Sequence, residues 1–435
     1  MHGPHELPIA PTNLHPMVTR AKSGIHKPRL FFSVAVGTPV EPSTFREASA
    51  DPRWNAAMST EINALKSQGT WSPRAWFLKL STTILDLGFV ASQADASLFI
   101  YRSKTVVVLL LIYVDDIILT GSSDSVIAEL LSFLNTKFAV KDLGPLHFFL
   151  GIQVHRSTAG LHLSQTKYIR DLLTKTQLLD SKPVATPMAL SSLSLYDGEL
   201  LTDPTPYHSL VGALQYCTIT RPDISFTVNK LCQFLHAPTS VHYQAAKRVL
   251  RYLKGTAHLG TLIQPDTTHE LHCFTDADWA SCPDDHRSTS AYCVFLGLNL
   301  ISWSSAKQKV VSRSSTESEY RALANGASEI SWLQSLLAEL GFPLWVPPML
   351  HCDNMRTLHL ASNPVLHART KHVEIDYHFV RERVKSGHLQ LCFTPSDNQV
   401  ADCLTKPLVA SRFQELRTKL TVLPSPVCLR GVVKQ

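Results

Sequence analysis

The chain has 435 residues, too many for a single core and enough for two or three domains. Apolar residues make up 44% and charged residues 17%, a globular composition that excludes a disordered chain, while a net charge of +6 permits a polyanionic partner without requiring one. Nine cysteines with no C-x-x-C pair exclude a zinc knuckle and a disulfide framework, and the odd count favours reduced thiols in an intracellular compartment. The opening residues carry no secretory pattern, and the longest apolar run, 106–114, is too short to span a bilayer, so a soluble protein with no membrane partner is expected.

Residues 1–40 are rich in His and Pro, with Arg20, Lys22, Lys27 and Arg29 spaced through "TRAKSGIHKPR", and read as an extended basic linker. Thr44-x-x-Glu47 then matches a capping box, and Trp54, Met58, Ile62 and Leu65 recur at helical spacing. A helix is expected to run to about Lys66, stopped by Gly69. From 74 to 155 the pattern turns to strands and short helices. "TVVVLLLIYV" and "IILTG" flank Asp115 and Asp116, which predicts a hairpin with both aspartates near its turn. Adjacent carboxylates between apolar runs are costly unless cations offset them or the turn exposes them. "FFLGIQVHRS" and "GLHLSQ" predict a second strand pair around Ala159 and Gly160.

Residues 165–258 read as mostly helical. In "HYQAAKRVLRYLKG", Tyr243, Ala246, Leu250 and Leu253 share one face, and Lys247, Arg251 and Lys254 share another. That basic row is either a solvated face or a phosphate-tracking one.

Beyond 268 the predicted order is βββ-α-β-α-α-β-α, with a long helix over 317–340, which points to a mixed sheet flanked by helices. Asp276 falls inside the first strand, where aspartate is depleted. Glu319 opens the long helix, Asp353 ends a strand and Asp402 lies in the last helix. Taken singly, Glu319 would be an acid favouring the helix dipole and Asp402 a surface acid. Together, carboxylates at strand ends and first helical turns suit magnesium, and two such ions can flank a phosphodiester.

"CFTDADWASCPDDHRSTSAYCVFLG", "ISWSSAKQKVVSRSSTESEYRALA", "LHCDN", "ARTKHVEIDYHFVRE" and "NQVADCLTKPL" closely resemble the ribonuclease H domain of copia-type retrotransposon polyproteins. "IYVDDIILTGS", "DLGPLHFFLGIQV", "LSQTKYIRDLL" and "YHSLVGALQYCTITRPDISFTVNKLCQFLHAPT" resemble the later reverse transcriptase and connection regions of the same family. The resemblance runs from about residue 17 to about 410, with one break. It implies a multidomain α/β and α+β chain: a basic linker over 1–40, a truncated polymerase palm over 41–164, a helical thumb or connection region over 165–267, a ribonuclease H domain over 268–410 and a tail over 411–435. The ribonuclease H domain is expected to fold alone.

The resemblance implies that Asp276, Glu319, Asp353 and Asp402 are catalytic and hold magnesium, with manganese as a substitute. The reaction implied is endonucleolytic attack of water on the RNA strand of an RNA–DNA hybrid, the RNA being distinguished through its 2′-hydroxyls. Glu317, two residues before Glu319, cannot share its direction; Glu319 is preferred because the family's glutamate precedes an aromatic or apolar residue, here Tyr320. Asp278 is a reserve ligand. "FTPSDNQVAD" lacks the histidine that cellular ribonucleases H carry before the last acid. Lys307, Lys309 and Arg313 are candidate phosphate contacts, or else an ordinary solvated loop.

The resemblance also makes Asp115 and Asp116 part of the polymerase metal site. That site needs a third aspartate from a segment resembling D-V-x-x-A-F-L, and "GTW", ending at Trp71, instead runs directly into "SPRAWF". The pair is therefore read as a relic metal site with polymerase activity lost. The apolar face of its hairpin, including Val108, Leu110 and Ile112, is expected to be less well covered than in a complete palm. The other reading is a decayed, non-catalytic relic that binds nucleic acid.

Overall fold

The computed structural model describes residues 49–426, apart from 53, 57, 60–72, 115, 139, 267 and 363–373. The chain divides into two units, 1–61 and 62–435. In the first, the described residues between 49 and 59 are helical apart from Asp51. The linker, the capping box at Thr44 and Glu47, and Ile62 and Leu65 lie outside the described residues.

The second unit opens with helix α1 (Pro73–Asp86) and a sheet ordered β1-β2-β3-β4, formed by Val90–Ala91, Leu98–Arg102, Val107–Tyr113 and Asp116–Gly121. Helix α2 (Asp124–Phe138) follows. Strands β3 and β4 pair antiparallel from Val108↔Gly121 to Tyr113↔Asp116, as the alternation predicted. The hairpin's inward face is covered. Val108 and Leu110 are 0% exposed and Ile112 is 2% exposed, because Leu80 and Ile84 of α1 and Leu130, Leu134 and Phe138 of α2 complete the cluster around them. Side chains at every second strand position meet helical residues at three- and four-residue spacing, which suffices for a small core.

A second sheet, ordered β14-β8-β7-β6-β5, joins Phe148–Phe149 (β5), Ile152–Ser157 (β6), Gly160–Ser164 (β7), Leu259–Ile263 (β8) and Val422–Pro424 (β14). The predicted β6–β7 hairpin is present, but β8 and β14 come from segments read as helical connection and as tail. Between these strands run α3 (Thr166–Lys175), α4 (Thr205–Cys217), α5 (Ser225–Cys232) and α6 (Ser240–Gly255). Thr239 caps α6 through a reciprocal bond with His242.

The third sheet is ordered β11-β10-β9-β12-β13, from Leu271–Asp278 (β9), Thr289–Leu296 (β10), Asn299–Lys307 (β11), Met349–Cys352 (β12) and Gln390–Phe393 (β13). The first three strands are antiparallel, and β12 runs parallel to β9 and β13. Helices α7 (Ser315–Glu339), α8 (Met355–Ser362) and α9 (Glu374–Lys385) follow the predicted order. The last predicted helix differs: 3-10 turns span Ser396–Asn398 and Val400–Leu404, and α10 (Ala410–Lys419) comes later. The mixed helix-and-sheet class expected from the sequence is observed.

This third sheet has two apolar faces, and different parts of the chain cover them. Leu271, Cys273 and Val294 meet Tyr320, Leu323, Ala327 and Ile330 of α7. Ala291, Cys293 and Phe295 turn the other way, into one cluster with Leu214 of α4, Leu231 of α5, Val249 and Leu253 of α6, and Phe413 and Leu416 of α10. The helices between 165 and 258 and the assumed tail therefore build the second face of the third sheet, and the boundaries drawn at 267 and 410 cut through one core.

A fully buried ion pair sits in that shared core. Arg221 donates to Asp223 through Nε and Nη2 at 2.9 and 2.8 Å, and both side chains are 0% exposed. Thr256 accepts from Arg221 through its carbonyl and its hydroxyl, each at 2.9 Å, and the Tyr252 hydroxyl donates to Asp223. Elsewhere, Glu339 of α7 accepts from Ser92 and Gln93, and Trp332 donates to the Ala94 carbonyl at 2.9 Å, tying the first sheet to the third.

Two outcomes follow. A piece of residues 268–410 alone should lack a cooperative unfolding transition and bind a hydrophobic dye; a sharp two-state melt would contradict the shared core. Asp223→Asn in the full chain should cost about 3–5 kcal/mol in urea denaturation, because it strands a buried guanidinium.

Candidate active site

Residues at even positions of β9 face the shared core, which places Asp276 and Asp278 on one side near the strand's C-terminal end. The parallel neighbour β12 ends at Cys352, so Asp353 lies just beyond the same sheet end. Helix α7 begins beside it, with Ser314 capping the Glu317 N–H at 3.2 Å. Glu317 accepts from the Arg313 N–H at 2.8 Å and from Arg321 at 3.0 Å, so it braces the helix start. Glu319, about 200° further round the helix, turns toward the acids. Asp402 arrives on the 3-10 turn Val400–Leu404 rather than on a helix.

The four acids form one electrostatic neighbourhood. Ligand atoms of Glu319, Asp353 and Cys352 lie within 4.8 Å of one another. Asp276 stands outside that tight group because Oδ2 is engaged elsewhere: the Thr405 hydroxyl donates to it, and the Lys406 ammonium is 3.5 Å away. Lys406 also lies 2.8 Å from Asp402 Oδ1. Ser396 donates to Asp353 Oδ2 at 2.9 Å. Glu319 Oε2 is buried with no hydrogen-bond partner.

Burial and neighbouring acids shift Glu319, Asp353, Asp402 and Asp278 upward. Burial, then Asp276 and Asp353, push Glu319 up to about 9. Burial and Asp276 raise Asp402 to about 6, against the pull of Lys406. Asp353 is raised by burial and Asp276, and Asp278 by burial with Asp276 adding to it. Burial works against the Lys406 ammonium, but Asp276 and Asp402 outweigh it and hold its pKa above the usual lysine value. Burial raises the Cys352 thiol, which leaves it protonated and a poor ligand for a hard cation. An unpaired buried carboxylate oxygen among further acids fits a divalent ion with oxygen ligands.

The other candidates are placed differently. Asp116 opens β4 beside the hairpin turn, and Asp115 lies outside the described residues. Among the described residues, the Glu319–Cys352–Asp353 group is the one set of three metal-ligand types so closely gathered, and Asp116 belongs to none. The basic row on α6 is largely engaged within the fold. Arg251 donates to the Lys182 carbonyl at 2.7 Å, Lys254 donates to the Ser181 carbonyl at 2.5 Å, and Lys247 lies 4.4 Å from the centre of the Tyr243 ring. Lys307 pairs with Asp285 at 2.8 Å. Lys309 and Arg313 are exposed, on the loop that Trp279 ties to the site by donating to the Ser312 carbonyl at 3.0 Å.

The sequence reading missed Lys406, Thr405 and Ser396. Lys406 stands four residues after Asp402 in "ADCLTK", a spacing that on the helix expected there would already have paired the two.

The third sheet gathers these carboxylates at one end of a mixed sheet, and a smaller antiparallel sheet precedes it in the chain. Residues 64–190 match the family model described as reverse transcriptase (RNA-dependent DNA polymerase). The Pol polyprotein from transposon RE1 of Arabidopsis thaliana is 50% identical over 356 residues, 82% of this chain and 24% of that protein. The Pol polyprotein from transposon TNT 1-94 of Nicotiana tabacum is 34% identical over 79% of this chain and 26% of that protein. An uncharacterized mitochondrial protein of Arabidopsis thaliana is 50% identical over 51% of this chain and 93% of its own length. Among solved structures, the N-terminal RNase H domain of rv2228c from Mycobacterium tuberculosis matches at 13% identity, 35% of this chain and 98% of that chain, with a TM-score of 0.24. The chain belongs to the copia-type retrotransposon Pol family, with a reverse transcriptase segment over 64–190. It spans about a quarter of the length of the transposon polyproteins it matches.

A raised carboxylate pKa has a definite consequence for stability. Because Glu319 moves from 4.5 to about 9, the folded chain binds more protons than the unfolded chain between those values. In chelator, stability should therefore fall as pH rises from 5 to 9. The decline should be shallower in Glu319→Gln, as read from melting temperatures across that range. An equal decline in parent and variant would show that Glu319 is not the strained acid.

Proposed function

We propose that the chain is a magnesium-dependent ribonuclease H that cuts the RNA strand of RNA–DNA hybrids, with manganese as a substitute ion and without polymerase activity. The observation that carries this reading is the buried, unpartnered Glu319 oxygen within an acid cluster at the end of a ribonuclease H-like sheet. Asp276, Glu319, Asp353 and Asp402 would hold the ions. Bound there, divalent ions supply charge neutralisation and stabilise the attacking and leaving oxygens of an in-line displacement at phosphorus.

The chain's own groups set the geometry. β9 and β12 fix Asp276 and Asp353 at adjacent strand ends, α7 presents Glu319 from one face, and the turn Val400–Leu404 brings Asp402 from the other. Exposed Lys309 and Arg313, on the loop before α7, meet backbone phosphates. Discrimination for RNA rests on its 2′-hydroxyls. A purely non-catalytic nucleic-acid binder draws less support, because Arg251 and Lys254 already donate to carbonyls of the fold. For polymerisation, Asp116 at the hairpin would need two further carboxylates in register, and "GTWSPRAWF" lacks the segment that brings one.

In the full chain, Asp276→Asn should abolish magnesium-dependent cleavage of a labelled hybrid while leaving far-UV circular dichroism unchanged. Undiminished cleavage in that variant would refute the assignment. Glu319→Gln should be far more damaging than Glu317→Gln to cleavage at equal folded concentration. Asp115→Asn should cut hybrids at the parental rate, and neither protein should extend a primer in magnesium or manganese.

A further inference from the structure

Inside the acid cluster the charge is divided unevenly. On one side, Glu319 and Asp353 approach each other, and Glu319 Oε2 is buried with no partner. On the other, the Lys406 ammonium lies 2.8 Å from Asp402 and 3.5 Å from Asp276. Both contacts are at ion-pair distance, and Asp276 is almost wholly buried. Among the described residues, Lys406 is the one cationic side chain in ion-pair contact with these acids.

Lys406 is well placed for this. Asp402 and Lys406 are four residues apart across the end of the turn Val400–Leu404, and the Lys406 N–H donates to the Asp402 carbonyl. Thr405, beside it, donates its hydroxyl to the same Asp276 oxygen that the ammonium approaches. The following Pro407 has no N–H and holds its own φ near −65°, which limits how the chain leaves this point. The stem of Lys406 has four rotatable methylenes, and a third of the side chain is exposed, so the ammonium has a route out to water.

We propose that Lys406 is a tethered counter-ion that occupies the Asp276–Asp402 position in the metal-free protein and must be displaced by the second divalent ion. The inference rests on the ribonuclease reading above. It assigns the two ion positions different affinities: the Glu319–Asp353 side is open and binds first, and the Asp276–Asp402 side binds second and more weakly. An ammonium and a divalent cation cannot share two carboxylates at these distances without strong repulsion. The same ammonium limits repulsion among the acids before any ion enters, so one side chain both steadies the empty site and sets the ion concentration at which it fills. No bond is made or broken in this exchange; one cation replaces another.

The test is a calorimetric titration of manganese into the full chain, alongside melting curves in chelator. The parent should show a tighter and a weaker class of site. In Lys406→Met the weaker class should tighten by about tenfold or more, with little change in the tighter class, and the metal-free melting temperature should fall. Lys406→Arg, which keeps the charge, should retain parental metal-free stability and a weak second site, and it covers the case in which the methionine variant fails to fold. Unchanged weak-site affinity in Lys406→Met would overturn the proposal, as would equal tightening of both classes, which would reduce Lys406 to a general source of positive field. Hybrid cleavage by the same parent separates the two readings. Cleavage with unaltered manganese affinities in Lys406→Met removes only the counter-ion role; a parent that neither binds manganese nor cleaves removes both.

Discussion

Four carboxylates held in one another's field at the end of a sheet are the constraint around which this chain is arranged. Left to themselves they repel, and burial adds to the cost; Glu319 is driven up to about 9 as a result. A fold keeps such a cluster only if the elements carrying the acids are fixed by something stronger. Here β9 and β12 are fixed by parallel pairing, α7 by its packing on Cys273 and Val294, and the Asp402 turn by the core behind it.

That last support comes from outside the segment that resembles ribonuclease H. Cys403 and Leu404, next to Asp402, are buried among side chains of the connection helices and α10. The Arg221–Asp223 pair lies in the same region, with Tyr252 donating to it and Arg417 donating to Tyr252. A buried ion pair adds little net stability against an apolar alternative, but it is strongly directional. Its bonds run to α6 at Tyr252 and Thr256 and reach α10 through Arg417, so it ties the connection helices to the element that follows the acid turn. The acid site and the connection region form one packing unit. The first sheet has its own small core, separate from the two clusters that support the acids.

Much of this was legible in the sequence, for physical reasons that differ from place to place. The order of elements beyond 268 could be read because strand alternation and a long helical repeat are local signals, and Asp276 stood out because a strand interior disfavours it. Direction around a helix showed that Glu317 and Glu319 cannot both face the site, and the family resemblance chose Glu319. Most of the failures are non-local. β8 and β14 are short and gain their identity only by pairing with β7 and with each other, so a window of neighbouring residues carries no sign of them. The partners of Val108, Leu110 and Ile112 on α1 and α2 are likewise set by tertiary packing and not by a local pattern. Arg251 and Lys254 could be read as part of a free row because their acceptors, the carbonyls at 182 and 181, are 69 and 73 residues away. Lys406 was within reach of a local reading and was overlooked because it is a cation among acids.

The most direct test of the metal-site account is anomalous diffraction from crystals of the full chain grown with manganese. The account predicts a strong peak about 2.0–2.2 Å from a Glu319 carboxylate oxygen, with Asp353 as a neighbour, and a second peak between Asp276 and Asp402 at higher manganese with Lys406 turned away. Crystals saturated with manganese that show no peak at Glu319, its Oε2 still unpartnered and Lys406 still paired with Asp402, would contradict it.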